Sequence, residues 1–386
     1  MRIAVPREIV PGETRVALVP ETVGRLVKAG LEVAIEAGAG DASMAADDTY
    51  RAAGATIAPG AREVYSGADA VLKVREPVAH PALGAHEADL MPPGAVLISF
   101  LGRDAQSEAA RKLAARGVTA FSMEMIPRIS RAQKMDALSS MSTVAGYKAV
   151  LLGATTLGKF FPLLMTAAGT IAPARVFVLG AGVSGLQAIA TARRLGAVVE
   201  AFDVRPAVRD EVQSLGATFV GHELLDAEAV AAGGYAKEMT PEQQAKQREL
   251  VAERLKQSDV VVSTAMVPGR KAPILIPDAT VRGMRAGSVI VDLAAEMGGN
   301  CELTEPGREV VKHGITILGP LNIAATVPVH ASQMYSRNIA ALLTHLVKDK
   351  ALHLDWDDEI TRDTCLVRAG AAAPSTGAVA AAGGAS

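Results

Sequence analysis

RVFVLGAGVSGLQAIATARRLGAVVEAFDVR, residues 175–205, decides the fold. The apolar run 176–179 reads as a buried parallel strand. Gly180, Gly182 and Gly185 follow in the spacing G-x-G-x-x-G. Val183, Leu186, Ile189 and Leu195 then recur at helical spacing until Gly196 closes the helix. A second apolar run, 198–202, ends in Asp203. The first glycine makes a tight turn, the second lets backbone approach a pyrophosphate, and the third lets helix pack on strand. The helix start adds unpaired N–H groups and a positive dipole end, which suit phosphates. Asp203 stands where a carboxylate bonds a ribose 2′-OH and repels a 2′-phosphate, which favours NAD over NADP. Arg205 argues the other way, since arginine in this region suits NADP; Asp203 weighs more because it sits at the strand end itself. A glycine turn also serves plain helix packing, and it is the agreement of strand, turn, helix, strand and acid that favours the nucleotide.

Around this unit the composition narrows the classes. A chain of 386 residues accommodates about two domains. Hydrophobic residues make up 49%, enough for large cores, whereas aromatics at 3% leave few stacking platforms for single-stranded nucleic acid. The net charge of −2 comes without a basic block, which argues against nucleic acid and against an electrostatic membrane patch. Cys301 and Cys365 are the only cysteines, so neither a disulfide framework nor a zinc site is expected; no metal is assigned, and a reducing compartment fits. The chain opens directly on a strand-like run, so no secretory leader is expected. The most apolar long segment, 144–173, is interrupted by Lys148, Lys159 and glycines, which fits a soluble core and not membrane insertion.

In chain order, residues 1–141 read as a first α/β domain, with strands at 3–5, 33–35, 70–74, 96–100 and 119–121 and helices such as 20–28 and 105–115 between them. The turn Gly12-Glu13-Thr14-Arg15 lies near the end of the first strand, where such sheets place ligands. Lys73 sits inside an apolar strand with Glu76 close by; it is either a paired, buried site residue or a lysine snorkelling from a strand end. The segment 127–140, PRISRAQKMDALSS, is dense in hydrogen-bonding groups. It reads either as a solvated interdomain loop or as a clamp in which Arg128, Gln133, Asp136 and Ser139 suit an amide and ribose hydroxyls. A long helix is expected over 141–161, then the nucleotide domain over 142–327 with further strands at 216–220, 259–263, 289–293 and 315–318. Residues 231–239 break the α/β rhythm before a polar helix at 241–256, and read as a hinged lid or a plain surface loop. From 328 the chain returns to the first domain through a helix at 329–347 and ends in a linker-like tail, 369–386.

Four stretches carry a resemblance. MRIAVPREIVPGETRVALVP, residues 1–20, resembles both alanine dehydrogenases and the NAD(H)-binding component of proton-translocating NAD(P)+ transhydrogenase, two families that share a two-domain fold. PRISRAQKMDALSS resembles the transhydrogenase cleft loop, GGYAKEM at 233–239 its mobile loop, and MTAAGTIAPARV at 165–176 its approach to the nucleotide-binding strand. Alanine dehydrogenases carry a catalytic histidine where this chain has Gly102, and a catalytic aspartate where it has Glu296. Arg15 and Lys73 match that family's substrate-carboxylate residues. Oxidising an amine needs an acid/base group, whereas hydride transfer between two nicotinamides needs only proximity and exclusion of water.

The resemblance implies an α/β fold with two doubly wound parallel-sheet, Rossmann-like domains flanking an NAD-binding cleft, formed by residues 1–141 with 328–386 and by 142–327. It implies that Arg128, Gln133, Asp136 and Ser139 hold the nicotinamide end, with Gln133, Arg128 and Asp136 closest to the chemistry. Ala181, Gly182 and Val183, within the Gly180–Gly185 turn, would meet the pyrophosphate. Asp203, Val204 and Arg205 would hold the adenosine ribose region, and Gly234, Tyr235, Gln247 and Met266 would line or close the pocket. It further implies a homodimer that gives hydride from NADH to NADP+ on a partner subunit, coupled to proton movement through membrane-spanning subunits at the cytoplasmic face of a bacterial inner membrane. Two rivals stand beside it: an alanine dehydrogenase, and a non-catalytic NAD(H)-sensing module.

Overall fold

The computed structural model describes residues 1–221, 241–266 and 271–370, without the side chains of 241–244 and 247. Two compact units emerge, one of Met1–Ser140 with the chain from Pro328 onward, the other of Met141–Val327.

The first unit holds a seven-stranded sheet in the order Cys365–Val367, Thr119–Ser122, Val96–Ser99, Ala70–Leu72, Arg2–Val5, Glu32–Glu36 and Thr56–Ala58. Its strands are apolar on both faces, as Ile3, Ala4 and Val5 illustrate, all fully buried. Burial on both faces is what a parallel sheet covered by helices on each side requires. The helix Pro20–Lys28 starts on proline, whose fixed φ suits a first turn. The helix Glu108–Arg116 is capped by Ser107, whose hydroxyl accepts from the N–H of Ala110, and ends at Gly117.

The second unit holds another seven-stranded sheet, ordered Thr218–Phe219, Val198–Phe202, Arg175–Leu179, Val260–Ser263, Val289–Asp292, Ile315–Leu318 and Glu309–Lys312. Alternation along Arg175–Leu179 serves two cores. Val176 and Val178 pack with Val150 and Ile189, while Phe177 and Leu179 pack with Val251, Leu255 and Val281.

Three sequence expectations shift. Neither sheet is wholly parallel, because each ends in one antiparallel strand: Cys365–Val367 pairs with Thr119–Ser122, and Glu309–Lys312 with Ile315–Leu318. The second is a hairpin through His313 and Gly314, both at positive φ, the conformation a two-residue hairpin turn needs. Its Glu309–Lys312 arm alternates half-buried and exposed residues and so lacks the apolar run of an inner strand. The long helix spans Ala137–Thr156, not 141–161. It starts earlier because Asp136 caps it, one carboxylate oxygen accepting from the N–H of Ser139 at 2.9 Å and the other from its hydroxyl at 2.6 Å. Beyond Leu157 the chain meets Gly158 and Pro162, and a small hairpin of Leu164–Thr166 and Gly169–Ile171 fills the apolar stretch before Ala174. Among the described residues, no helix is long and apolar enough to cross a membrane.

Candidate functional site

The strand Arg175–Leu179 delivers Gly180 at φ +93°, with Thr264 against it. Thr264 donates its hydroxyl to the carbonyls of Leu179 at 3.2 Å and Gly180 at 3.0 Å. A side chain on Gly180 would meet that hydroxyl at 2.6 Å, and one on Gly185 would overlap the Gly180 carbonyl, so both glycines are steric requirements. Gly182 caps the helix Val183–Arg194 without a side-chain bond. Its own N–H and that of Val183 have no partner among the described residues, and Val183 is exposed. Two open N–H groups at the positive end of a twelve-residue helix form an anion seat.

Ala181 sits differently. It is almost fully buried, and its N–H donates to Oδ2 of Asp203 at 2.7 Å. Its amide is therefore committed to the protein, and the open donors of the turn are those of Gly182 and Val183. Asp203 also accepts from the backbone and the guanidinium of Arg205. Val204 between them is half-buried against the Phe202 and Val220 core.

The loop after Val260–Ser263 is fixed by residues that the sequence pattern did not single out. Oδ1 of Asn300 accepts from Ser263 Oγ at 2.6 Å and from Ala265 N at 3.0 Å, and its amide nitrogen donates to the carbonyls of Ala265 and Pro273. Asn300 is itself held by Asp292, which accepts from Ala294 N, Asn300 N, Cys301 N and Thr304 Oγ1. Burial pushes the Asp292 carboxyl above its usual range, and these donors offset only part of that. The knot keeps Thr264 and Ala265 beside Gly180 and leaves the adjoining Met266 exposed. The one sequence signal for it was an acid at a strand end followed by Gly298-Gly299-Asn300.

In the first unit the segment 127–140 forms a 3-10 helix, Ser130–Met135. Ala132 and Met135 are its buried pegs, Asn338 donates to the Lys134 carbonyl at 2.9 Å, and Arg131 pairs with Asp358 and Glu359. Gln133 is exposed between the pegs with no side-chain partner among the described residues, and Arg128 is also exposed. Asp136 and Ser139 bond each other as the helix cap. Gly234 and Tyr235 lie outside the described residues, as does the side chain of Gln247, whose backbone belongs to the helix Pro241–Gln257.

Lys73 does not snorkel. It is 0% exposed, and its Nζ lies 2.7 Å from Glu87 and 3.4 Å from Glu8, not against the exposed Glu76. Tyr65 donates to the same Glu87 oxygen at 2.9 Å, and Val78 N and Val74 N satisfy the other carboxylate oxygens. Burial lowers the Lys73 pKa, but Glu8 and Glu87 outweigh it and leave it raised. Burial raises Glu8 despite Lys73, which fits one cation shared by two carboxylates with Glu87 the closer partner. Arg15 is likewise buried, paired with Glu13 at 2.6 Å. Among the described residues no group of His, Cys, Asp and Glu could hold a metal.

With this geometry in place, comparison with known proteins is informative. The alanine dehydrogenase/PNT N-terminal domain matches residues 4–145, and the alanine dehydrogenase/PNT C-terminal domain matches 149–374. The chain belongs to this family. Over 377 residues it is 49% identical to the separate first portion of the NAD(P) transhydrogenase alpha subunit of Rhodospirillum rubrum, covering 96% of this chain and 97% of that one. A transhydrogenase structure from Sinorhizobium meliloti matches with a TM-score of 0.83 and 40% identity, covering 96% of this chain and 98% of that one. An L-alanine dehydrogenase structure matches with a TM-score of 0.78 and 31% identity, covering 96% of each. Both branches of the family therefore share this α/β architecture. At Gly102, where the second branch is expected to carry its histidine, φ is +70°, a conformation that disfavours any side chain. Glu296 is exposed and accepts from the N–H of Asn322 at 2.6 Å.

Proposed function

We propose that this chain is the NAD(H)-binding component of a proton-translocating NAD(P)+ transhydrogenase, an oxidoreductase that passes hydride from NADH to NADP+ held on a partner subunit. The observation that carries the reading is the likeness to a transhydrogenase alpha subunit over nearly the whole of both chains, at 49% identity against 31% for the alanine dehydrogenase structure. Gly102 supports it, since oxidation of an amine would leave this chain short of an acid/base group at that position.

The residues present fit a dinucleotide. The open N–H groups of Gly182 and Val183 hold its pyrophosphate, the space that Gly185 leaves lets the helix start come close, and Asp203 selects the adenosine ribose. Bound there, NADH supplies a hydride and no proton at the reacting carbons. The work of the chain is positional: Gln133, exposed and without a partner among the described residues, orients the nicotinamide, while Arg128 holds its ribose and Asp136 and Ser139 shape the segment that carries both. Holding two ring carbons about 3–3.5 Å apart removes most of the entropic barrier to transfer. The partners of the reading are an NADP(H)-binding subunit and membrane-spanning subunits at the cytoplasmic face of a bacterial inner membrane. A second copy of this chain is a further partner. The hairpin Leu164–Thr166/Gly169–Ile171 supports that, because Leu163, Met165 and Ile171 are exposed there, Met165 by 80%.

The test is reconstitution with an NADP(H)-binding component, following transfer from NADH to an NADP+ analogue, with alanine and pyruvate as controls. Partner-dependent transfer, silence with alanine, and elution at twice the chain mass are expected. Replacing Gln133 with Ala should slow transfer far more than it weakens NADH binding. Partner-independent oxidation of alanine would overturn the reading, and equal losses of binding and transfer in Q133A would remove Gln133 from the chemistry.

A further inference from the structure

Asp203 is 6% exposed, and its carboxylate is fully used. Oδ1 accepts from the backbone N–H of Arg205 at 2.8 Å and from its Nε at 2.9 Å. Oδ2 accepts from the N–H of Ala181 at 2.7 Å and from Arg205 Nη2 at 2.9 Å. A carboxylate offers about four lone-pair sites, and all four have donors. Two of those donors, Nε and Nη2, are one edge of the guanidinium, the fork that reads a carboxylate or a phosphate in bidentate fashion. The same Nη2 comes within 4.0 Å of where a side chain on Gly182 would begin, so the guanidinium is folded back over the turn that seats the pyrophosphate.

Asp203 can accept a ribose hydroxyl only when one of these donors leaves. The backbone donors of Ala181 and Arg205 belong to the turn and the strand end and cannot rotate away. The guanidinium can, because Arg205 keeps about a quarter of its side chain exposed. We propose that Asp203 and Arg205 form a selectivity lock for the dinucleotide. An NADH ribose displaces the guanidinium and takes its place on Asp203, so Arg205 is an internal competitor of the cofactor. A 2′-phosphate cannot take that place, because it would stand against the Asp203 carboxylate. Nor can it recruit Arg205, whose fork is already held by the same carboxylate. The residue type best suited to a 2′-phosphate is thus present in the site and withheld.

This inference rests on the dinucleotide seat of the transhydrogenase reading but needs neither partner nor turnover. It is tested on the full chain alone by titrating NADH and NADPH and following nucleotide fluorescence or heat. In Asp203→Asn the guanidinium is released, and NADPH affinity rises by about tenfold or more while NADH affinity falls. Adding Arg205→Ala to that variant removes the NADPH gain. Arg205→Ala alone tightens NADH by about twofold or more, since the competitor is gone. No NADPH gain in Asp203→Asn, or a gain that survives the second substitution, overturns the proposal. Where a melting curve shows that Asp203→Asn is not folded, Arg205→Ala decides alone: tighter NADH supports the lock, and unchanged or weaker NADH overturns it. A failed hydride-transfer assay with intact NADH and NADPH titrations would remove the transhydrogenase reading and leave the lock standing.

Discussion

Both sheets share one internal order, with the third, second, first, fourth and fifth strands of each side by side. Each therefore reverses direction between its first and fourth strand, where such folds open a crevice at the carboxyl ends. In the second unit that point lies between Arg175–Leu179 and Val260–Ser263, and it holds Gly180, Gly182 and Thr264. In the first it lies between Arg2–Val5 and Ala70–Leu72, and Glu8 and Lys73 come just after those strands. One switch point is lined by glycine and keeps backbone N–H groups open. The other is filled by a lysine and two carboxylates that satisfy one another. Topology supplies the place, and the side chains decide whether a ligand or the protein itself occupies it.

The sharpest way to break this contrast is to remove the cation. Lys73→Met leaves Glu8 and Glu87 buried without their counter-charge, and stability falls by about 3–5 kcal/mol, the usual cost of orphaning a buried ion. Denaturant unfolding measures it. A second substitution, Glu87→Gln, should restore part of the loss, because one carboxylate no longer needs compensation. A cost of less than about 1 kcal/mol for the single variant would mean that the cluster is wet and poorly paired, and the contrast between the two switch points would shrink accordingly.

The open switch point breaks sterically. Gly185→Ala drives a methyl into the Gly180 carbonyl, so the helix start must move off the strand. NADH affinity should fall by about a hundredfold while the fold survives, since the clash is local to one turn. Retained affinity would show that the helix start does not need this approach, and would take the pyrophosphate seat away from Gly182 and Val183.

These two sites were unequally legible in the sequence. The glycine turn announced itself because its requirements are local: strand, turn, helix, strand and acid all occur within residues 175–205. The filled site did not, because Glu8, Tyr65, Lys73 and Glu87 come from four separate stretches and only the sheet brings them together. Lys73 could be marked as expensive from its apolar neighbours, but Glu76 was the wrong partner; the right ones are 65 and 14 residues away. The knot of Asp292 and Asn300 was missed for the same reason. Inner strands were legible because burial on both faces leaves apolar runs, whereas the edge strand Glu309–Lys312 alternates and Cys365–Val367 returns from the far end of the chain.

Ion pairing at the surface of the first unit gives the smallest effect and the other end of the comparison. Arg131 ties the Gln133 segment to Asp358 at 2.6 Å and to Glu359 at 3.3 Å. The hydrogen bond from Arg131 is the main cause that holds the Asp358 carboxyl down at about 2, helped by Ile360 N and by His345. An acid whose folded pKa lies below its unfolded value, about 3.9, stabilises above that value and loses the contribution as pH falls through the folded one. The window therefore runs from about pH 4 down to about 2. Trp356, the single tryptophan, reports it: two residues before Asp358, it stacks on Phe121 at 6.3 Å with Arg368 at 4.0 Å over its ring. Its emission should change across that window, and Arg131→Ala should move the midpoint up toward about 4 with little change in overall stability. An unmoved midpoint would assign the shift to the helix cap at Ile360 and not to Arg131. The pair at Arg131 is as short as the one at Lys73, yet solvent screens it, so equal geometry carries a large penalty for disruption in the buried switch point and a small one here.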